Sequence, residues 1–348
     1  MTKYFLMIFF FTVTCYCQIP QYYSDINFNQ SSNVVENQLS NLITNTHTIE
    51  FPYTSDDTDT WDILKLSDEV QSSPSVVFLV YGFDLSVGIS QFDYTRDKNL
   101  SCHISGCSGL WNREHVYAKS LATPPLSVSQ EGSGTDIHNL KPCDGDMNSS
   151  RSNRLFDSGS GNTHITNNGN WYPGDDWKGD VARIIMYMHL RYPSQCDANN
   201  TVQNTSSNFP DILLQWNAED PVSTHESYRN NVIFSFQGNR NPFIDNPYLA
   251  TLIWGGIPAD DLWNTFSNDF FSLQSNITIY PKPALNYINI DGIKSKSYKY
   301  QIYNINGKLL LSNQTSKDQI EVTSLSKGLY FIKLITKKSS SNYRFLKK

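Results

Sequence analysis

The chain has 348 residues, of which 39% are hydrophobic and 13% aromatic, so it can bury a sizeable core and is not globally disordered. Its length predicts two or three domains. The formal net charge of −6 conceals an asymmetry: residues 278–348 contain 13 Lys/Arg and 3 Asp/Glu, a net of +10, whereas residues 1–277 contain 14 and 30, a net of −16. This distribution excludes a single uniform domain and predicts two units of opposite charge.

The N-terminus has the pattern of a secretion signal. Lys3 supplies a positive charge, and residues 4–13 form an apolar run that is too short for a bilayer span of about 20 residues. A buried helix at the start of the core is the alternative, and a lipid on Cys15 or Cys17 fits the preceding residues poorly. We expect residues 1–17 to be a signal peptide, with no stable membrane insertion and a monomeric mature protein outside the cytoplasm.

The hydrophobic spacing of the next segments predicts a helix over residues 34–43 and a short buried strand over residues 76–81. Residues 83–112 are polar and read as a surface loop. We expect these elements to belong to one domain that spans residues 18–257.

Four cysteines remain after the signal. An even number in an oxidising compartment favours disulfides, and three pairings are possible. The first two cysteines enclose only four residues, which favours a local bridge, while zinc is the competing interpretation although the spacing is not that of paired CxxC motifs. The disulfide candidates are Cys102, Cys107, Cys143 and Cys196.

The later elements complete the predicted organisation. A helix is expected over residues 178–192, where Arg183 and His189 fit solvated or core roles better than functional ones. Residues 258–276 mix aromatic and polar side chains and are expected to form a linker.

Residues 277–348 differ in character from the rest of the chain. Apolar runs at residues 300–305 and 309–311 flank Asn306-Gly307, which is a strong signal for a type I′ hairpin. A further run spans residues 329–335. Several short strands in about 70 residues predict a small all-β sandwich, without His or Cys to support catalysis.

Three polar motifs lie within residues 113–154. Residues 113–116 read Arg-Glu-His-Val, residues 136–140 read Asp-Ile-His-Asn-Leu with a strand-like pattern, and residues 148–153 read Asn-Ser-Ser-Arg-Ser-Asn at the start of a helix. Each residue alone is more often structural than catalytic. Their grouping within a short stretch is what favours a functional site.

The residue types suit phosphodiester hydrolysis, which requires a base for water and neutralisation of the developing charge. Neutral His115 can accept the proton at neutral pH. Glu114 and Asn148 offer hard oxygen ligands for one Mg²⁺, with Ca²⁺ or Mn²⁺ as alternatives. Arg151 lies one helical turn after Asn148 and could bind the same phosphate. Because adjacent residues of a strand face opposite sides, Glu114 and His115 can share a site only at a bend or strand end.

These motifs resemble those of the bacterial endonuclease I family, secreted or periplasmic nucleases of the ββα-metal (His-Me finger) superfamily. The similarity continues through residues 178–188, 216–221 and 237–245, and it spans roughly residues 20–256. It implies an α+β fold in which a mixed helical and β nuclease domain contains a ββα-metal core.

The resemblance also implies roles for individual residues. His115 would be the general base, with Arg151 assisting, and Glu114 and Asn148 would hold the metal. Asn139 and His138 would orient the second strand and the base. The substrate-binding candidates are Arg113, Asn139 and Lys119. Arg240 belongs to a late segment expected to be architectural, with contact to the phosphate backbone as the alternative.

The sequence departs from this pattern in one respect. Some relatives place an arginine between the two strands, but residues 116–138 contain none, so Lys119, Arg113 or Arg151 would have to substitute. Residues 113–154 contain five Lys/Arg and five Asp/Glu, which is not the basic footprint usual for nucleic-acid binding. A narrow basic groove or a modest, metal-dependent affinity would reconcile the charge with the motif.

The C-terminal block resembles the sorting domain of the type IX secretion system of Bacteroidetes. The resemblance lies in residues 279–284, 303–308 and 325–330, with Lys282 where the family usually has Asn. It implies export by that machinery to the cell surface or medium. An ordinary β adhesion module is the alternative.

We therefore expect a secreted, metal-dependent, sequence-nonspecific endonuclease that cleaves DNA, with RNA as a further substrate. The alternative is a surface-displayed protein that binds nucleic acid or glycan without catalysis.

Overall fold

A computed structural model of the chain describes residues 19–85, 90–103, 106–206, 208–263, 278–292, 297–304, 308–335 and 340–348. These residues belong to two compact units, residues 1–265 and 266–348. The predicted signal peptide, the predicted Asn306-Gly307 turn and residues 264–276 of the predicted linker lie outside the described residues. No helix within the described ranges is long and apolar enough to cross a membrane.

The first unit is mainly helical. Helix α1 contains the helix predicted over residues 34–43, and α4 matches the one predicted over residues 178–192. In α1 the apolar residues at helical spacing form one buried face, whereas α4 is buried on nearly all sides, including Asp180 and Arg183. The helices are α1 (Ser32–Asn45), α2 (Thr60–Ser67), α3 (Gly145–Arg151), α4 (Lys178–Arg191), α5 (Asp211–Glu219), α6 (Thr224–Gln237), α7 (Pro242–Asp245) and α8 (Tyr248–Trp254).

The strands of this unit are short and form three small antiparallel sheets. The strand predicted over residues 76–81 lies three residues earlier, as β2, and the predicted loop 83–112 contains strand β3. The sheets are β1 (Glu69–Val70), β2 (Ser73–Phe78) and β3 (Thr95–Asp97); β4 (Trp111–His115) and β5 (Leu140–Asp144); and β6 (His164–Ile165) and β7 (Trp171–Tyr172).

Strands β4 and β5, which are separated by residues 116–139, form a ββα unit with helix α3. The strands pair antiparallel with Glu114 opposite Lys141 and His115 opposite Leu140. Helix α3 begins directly after β5, where the Asp144 side chain accepts hydrogen bonds from the backbone N–H groups of Asp146 and Met147. This N-cap fixes the point at which the strand turns into the helix.

The sequence pattern of residues 136–140 predicted a strand, but only Leu140 belongs to one. Ile137–Asn139 form a single 3₁₀ turn, and β5 begins only at Leu140. The Asp136 carboxylate accepts a hydrogen bond from the backbone N–H of His138 at 3.0 Å. This local bond competes with strand pairing and favours a turn.

Asp136 is also the centre of a buried hydrogen-bond network. Its Oδ1 accepts from Gln237 Nε2 at 3.1 Å, in addition to the His138 backbone, and its Oδ2 accepts from the hydroxyls of Tyr187 at 2.8 Å and Tyr192 at 3.0 Å. Gln237 Oε1 in turn accepts from the backbone N–H of Ile137 at 2.7 Å. The network joins α4 and α6 to the 3₁₀ turn that precedes β5.

Arg183 and His189 have structural roles, as their sequence context favoured. Arg183 is fully buried and donates from Nε and Nη2 to the carboxylate of Glu226 at 2.6 and 2.8 Å. His189 is near the backbone of residues 196–198, with Nδ1 3.2 Å from the carbonyl oxygen of Cys196.

The cysteines form one disulfide rather than two. Cys102 and Cys107 are bonded, as their spacing favoured, but Cys143 and Cys196 are free buried thiols. Cys143 lies in β5, where its thiol donates to the carbonyl oxygen of Val80, and Cys196 follows α4. The expectation that an even number of cysteines would pair completely is therefore wrong for these two.

Residues 258–263, which were expected to begin a linker, instead pack against the first unit. Trp263 is 4% exposed and its ring lies 4.8 Å from that of Tyr23. The backbone N–H of Leu262 donates to the side chain of Asn246 at 3.0 Å.

The second unit is an all-β sandwich, as predicted. Its core is formed by alternating residues of both sheets, among them Ile290, Ile302 and Ile332. The runs predicted at residues 300–305 and 329–335 lie in neighbouring strands of one sheet. That sheet has the order β11 (Leu309–Thr315), β10 (Tyr298–Asn304), β13 (Gly328–Ile335) and β14 (Ser340–Lys347), and the other has β12 (Gln319–Glu321), β9 (Tyr287–Asp291) and β8 (Thr278–Tyr280).

Burial of His138 makes the stability of the first unit dependent on pH. Burial lowers the pKa of His138 to about 3, compared with about 6.5 in an unfolded chain. The unfolded chain therefore binds the proton first as the pH falls. The contribution of neutral His138 to the free energy of unfolding is therefore complete above about pH 6.5. Below that pH it decreases, by up to about 1.4 kcal/mol per pH unit.

We predict that His138→Gln loses less stability than the wild type between about pH 7.5 and pH 5.5, since one protonation has been removed. Urea unfolding at the two pH values measures the difference. His164→Gln, at an exposed histidine, is the matched control and should retain the wild-type dependence. Equal losses in wild type and His138→Gln would contradict the prediction.

Candidate active site

The two faces of strand β4 make different contacts. Arg113 and His115 lie on one face and contact Tyr53, whereas Asn112 and Glu114 lie on the other and contact helix α3. This is the alternation expected along a strand. Because His115 is the last residue of β4, Glu114 and His115 still line the same open pocket at the strand end.

His115 is held in one orientation. Its Nε2 lies 2.8 Å from the carbonyl oxygen of Gly134, and since a carbonyl can only accept, Nε2 carries the proton and Nδ1 is the unprotonated nitrogen of the neutral ring. Burial, opposed by the hydrogen bond to Gly134 and assisted by the neighbouring cations Lys119, Arg113 and Arg151, lowers the pKa of His115 to about 3. The ring is therefore neutral at pH 7.

Glu114 is a buried carboxylate whose charge is only partly compensated. Its Oε1 accepts a hydrogen bond from the Tyr81 hydroxyl at 3.1 Å and lies 3.3 Å from Nε of Arg151. Burial raises the pKa of Glu114 to about 7 despite these two groups. A further positive charge beside Glu114 would favour its ionised form.

Asn148 is oriented by a neighbouring amide. Its Nδ2 donates to Oδ1 of Asn112 at 2.7 Å, which leaves the Oδ1 of Asn148 available as an acceptor. Asn148 lines the same pocket as Glu114. One carboxylate and one amide oxygen fit a hard divalent ion that retains several waters. No group of three His, Cys, Asp or Glu residues suited to a metal occurs in the described ranges.

Arg151 lies behind the pocket. It is fully buried and donates to the carbonyl oxygens of Val116 and Ser152 at 2.8 and 3.0 Å, as well as pairing with Glu114. Asn148 and Arg151 both contact β4, as expected for residues three apart on a helix. The side chain of Arg151, however, supports Glu114 and the end of β4 rather than lining the pocket.

The three substrate-binding candidates lie in different positions. Lys119 is exposed at the mouth of the pocket. Arg113 lines the pocket, but its guanidinium is sandwiched between Tyr53 at 3.3 Å and Trp61 at 4.1 Å, and burial lowers its pKa to about 10. Asn139 does not line it.

Asn139 instead has an orienting role. It is fully buried, its Oδ1 accepts from the backbone N–H of Tyr117 at 2.7 Å, and its Nδ2 donates to the Tyr117 carbonyl. Arg240, which was expected to be architectural, forms an ion pair with Asp245. Asn139 therefore holds the backbone of Tyr117 beside Ala118 of the pocket, whereas Arg240 links Asn231 of α6 to Asp245 of α7.

Four residues that shape the pocket had no predicted role: Tyr53, Tyr81, Asn112 and Gly134. Two of them carried a local signal, since Asn112 directly precedes the first motif and Gly134 lies in a Gly-Ser-Gly segment between the first two motifs. A Cβ at Gly134 would lie 1.8 Å from the carbonyl oxygen of Ser127, so only glycine fits this approach.

We predict that Arg151→Ala lowers the free energy of unfolding by about 3–5 kcal/mol, because it leaves Glu114 and two backbone carbonyls buried without their partner. Chemical unfolding of the purified variant measures the loss. Lys119→Ala, which removes an exposed cation, should change stability by less than about 0.5 kcal/mol. Wild-type stability for Arg151→Ala would contradict the supporting role.

Comparison with known proteins connects this geometry to a family. The profile of the Endonuclease I family matches residues 31–248, and that of the secretion system C-terminal sorting domain matches residues 278–348. The first match includes the whole ββα unit and the pocket. The second covers the described strands of the sandwich.

Several relatives have nuclease names. The chain is 40% identical over 209 residues to the extracellular ribonuclease of Bacillus subtilis (strain 168), covering 56% of this chain and 67% of that protein. It is 39% identical over 209 residues to the extracellular ribonuclease of Bacillus amyloliquefaciens, covering 56% and 66%. It is 31% identical over 121 residues to Endonuclease-1 of Buchnera aphidicola subsp. Baizongia pistaciae (strain Bp), covering 32% and 46%.

The chain thus spans about two thirds of the Bacillus proteins and less than half of the Buchnera protein. The sorting domain identifies it as a protein directed to the cell surface or the medium. The match over residues 31–248 shows that the chain belongs to the Endonuclease I family of phosphodiester hydrolases.

Proposed function

We propose that this protein is a metal-dependent, sequence-nonspecific endonuclease that hydrolyses phosphodiester bonds of DNA and RNA, with a His-Me finger core. The observation that carries the proposal is the orientation of His115. Its Nε2 proton is bound by Gly134, so that Nδ1 is the basic nitrogen, in a pocket that also contains Glu114 and Asn148. Names of relatives include both ribonuclease and endonuclease, so neither polymer is excluded.

In the proposed reaction, Nδ1 of His115 takes a proton from a water molecule whose oxygen attacks phosphorus. The bond from phosphorus to the leaving ester oxygen breaks, and solvent water protonates that oxygen. The cations Lys119, Arg113 and Arg151 surround His115 closely enough to lower its pKa. The negative charge of a bound phosphodiester would oppose this effect and increase the basicity of His115. The same local cations would attract a polyanion, which explains how a unit with a negative overall charge could bind nucleic acid.

Glu114 and Asn148 are the residues that would hold the divalent ion. Their fit rests on the undercompensated charge of Glu114 and the available Oδ1 of Asn148. Mg²⁺ bound there would supply Lewis-acid stabilisation of the phosphate and of the leaving oxygen. Tyr81 and Arg151 would keep the Glu114 carboxylate in place, and Asn112 would do the same for the Asn148 amide.

Low sequence specificity follows from the groups involved. All of them are suited to the phosphodiester or its counterion, and contacts to phosphate carry no direct information about base sequence. The net negative charge of the unit disfavours tight binding to DNA in general, which suits an enzyme that must release its product.

We predict that the purified protein nicks supercoiled plasmid in the presence of Mg²⁺, that EDTA prevents this, and that His115→Ala lowers the rate at least about 100-fold, since loss of a general base costs on this scale. Gel electrophoresis over time measures nicking. His164→Ala, at an exposed histidine outside the pocket, should retain the wild-type rate. Wild-type rates from His115→Ala would overturn the general-base role, and an intact plasmid with every divalent ion would favour a binding protein.

We predict that Asn148→Ala raises the Mg²⁺ concentration needed for half-maximal cleavage by about tenfold or more, because one of two protein ligands is lost. Titration of Mg²⁺ in the plasmid assay gives this value. Asn29→Ala, at an exposed asparagine, is the matched control. An unchanged titration would show that Asn148 is not a ligand.

A further inference from the structure

A second pocket lies beside the catalytic pocket and has no part in the reaction described above. The two pockets share Tyr53 and Arg113 as a common wall. The other side chains that line the second pocket are Thr54, Trp61, His103 and Asn112, with the Cys102–Cys107 disulfide. We call it the flanking pocket.

Flat groups are stacked in sequence from the catalytic pocket to the flanking pocket. The His115 ring lies 5.6 Å from Tyr53, the Arg113 guanidinium lies 3.3 Å from Tyr53 and 4.1 Å from Trp61, and the Trp61 ring lies 4.4 Å from His103. Among the described residues His103 is the last flat group of this series, and its side chain is exposed to solvent. A further planar group could therefore extend the stack at His103.

The polar groups of the flanking pocket favour an uncharged ligand over an anion. The terminal nitrogens of Arg113 already donate to the carbonyl oxygen of Tyr53 and to the hydroxyls of Thr60 and Thr54. Asn112 accepts from Asn148 through its Oδ1, which leaves its NH₂ group to donate to a ligand. Aromatic faces combined with an amide donor are the groups with which proteins bind nucleobases.

The residues on both sides of His103 in the sequence, Cys102 and Cys107, are held in place. The disulfide joins them, and the backbone N–H of Cys102 donates to the carbonyl oxygen of Trp111 at 2.7 Å. Directly after Cys107, Ser108 Oγ donates to Asp146 at 2.8 Å. A Cβ on Gly145 would lie 2.4 Å from Cys107 Cβ, so Cys107 also packs tightly on the first residue of helix α3.

We propose that the flanking pocket binds the nucleobase adjacent to the scissile phosphate, stacked on His103, and that the enzyme therefore prefers single-stranded DNA or RNA. This inference rests on the proposed nuclease function. A base in a duplex is paired and stacked, so entry into the pocket requires its release from the helix, whereas a single strand offers its bases freely. Stacking accepts any base and is compatible with low sequence specificity.

The test uses short homothymidine strands in which one phosphodiester is cleavable and the others are methylphosphonates. One version is intact, and in the others an abasic sugar replaces the nucleotide on one side of the cleavable bond. Matching oligouridine strands form the RNA arm, and a duplex of the intact strand forms a third arm. The value of kcat/KM is measured for wild type, His103→Ala and the control His164→Ala, which also alters an exposed histidine.

We expect wild type and His164→Ala to cleave the intact single strand about tenfold faster than one of the abasic strands, as the loss of one stacked base would produce. His103→Ala should cleave the intact and the abasic strand at the same, slower rate. Its rate on the duplex should remain close to that of wild type. If His103→Ala loses the preference for the intact strand only with DNA or only with RNA, the result would support base binding in the flanking pocket and would identify the sugar that the pocket accepts.

Two other outcomes separate the inference from the function on which it rests. If wild type cleaves the strands but His103→Ala retains the wild-type ratio of intact to abasic rates, the flanking pocket does not bind the base. If wild type cleaves none of the substrates with any divalent ion, the nuclease function itself fails, and the pocket assignment fails with it.

Discussion

The buried carboxylate of Asp136 is the constraint on which the catalytic geometry depends. Burial opposes its ionisation, but His47, His138 and the hydrogen bonds from Tyr187 and Gln237 outweigh this effect and lower its pKa. A buried charge with four hydrogen bonds tolerates little displacement, since each lost bond would leave a polar group unpaired. The network fixes the 3₁₀ turn that precedes β5 and begins three residues after Gly134, whose carbonyl oxygen orients His115.

A second constraint is electrostatic. Glu114 is placed in a buried position where ionisation is costly, and Arg151 is buried behind it with its guanidinium bonded to backbone carbonyls. Each member of this pair depends on the other, since a buried guanidinium or carboxylate left without its partner is strongly destabilising. Glu114, whose pKa is raised by burial, lines a pocket beside a neutral His115, and such perturbed groups are typical of functional sites.

Much of this arrangement could be predicted from sequence, but only where the signal was local. Helices α1 and α4 follow from apolar residues at helical spacing, and Glu114, His115 and Asn148 follow from motifs. The role of Arg151 could not be predicted, because an arginine three residues after Asn148 on a helix can bind either a substrate phosphate or a buried carboxylate. Tyr53 lies 60 residues before Arg113 and Tyr81 lies 33 residues before Glu114, so only tertiary packing brings these pairs together. The 3₁₀ turn at residues 137–139 was missed because the hydrogen bonds of Asp136 overrode an alternating pattern.

The two buried thiols affect what happens after the fold is lost. Burial raises the pKa of Cys143 and Cys196, so both remain unreactive while the chain is folded. An unfolded molecule exposes two thiols together with the Cys102–Cys107 disulfide, and thiolate attack can then exchange its sulfur partners. In an oxidising medium, non-native bridges formed in this way would trap the unfolded chain, so that unfolding becomes irreversible and the working lifetime is set by the rate of unfolding rather than by its equilibrium.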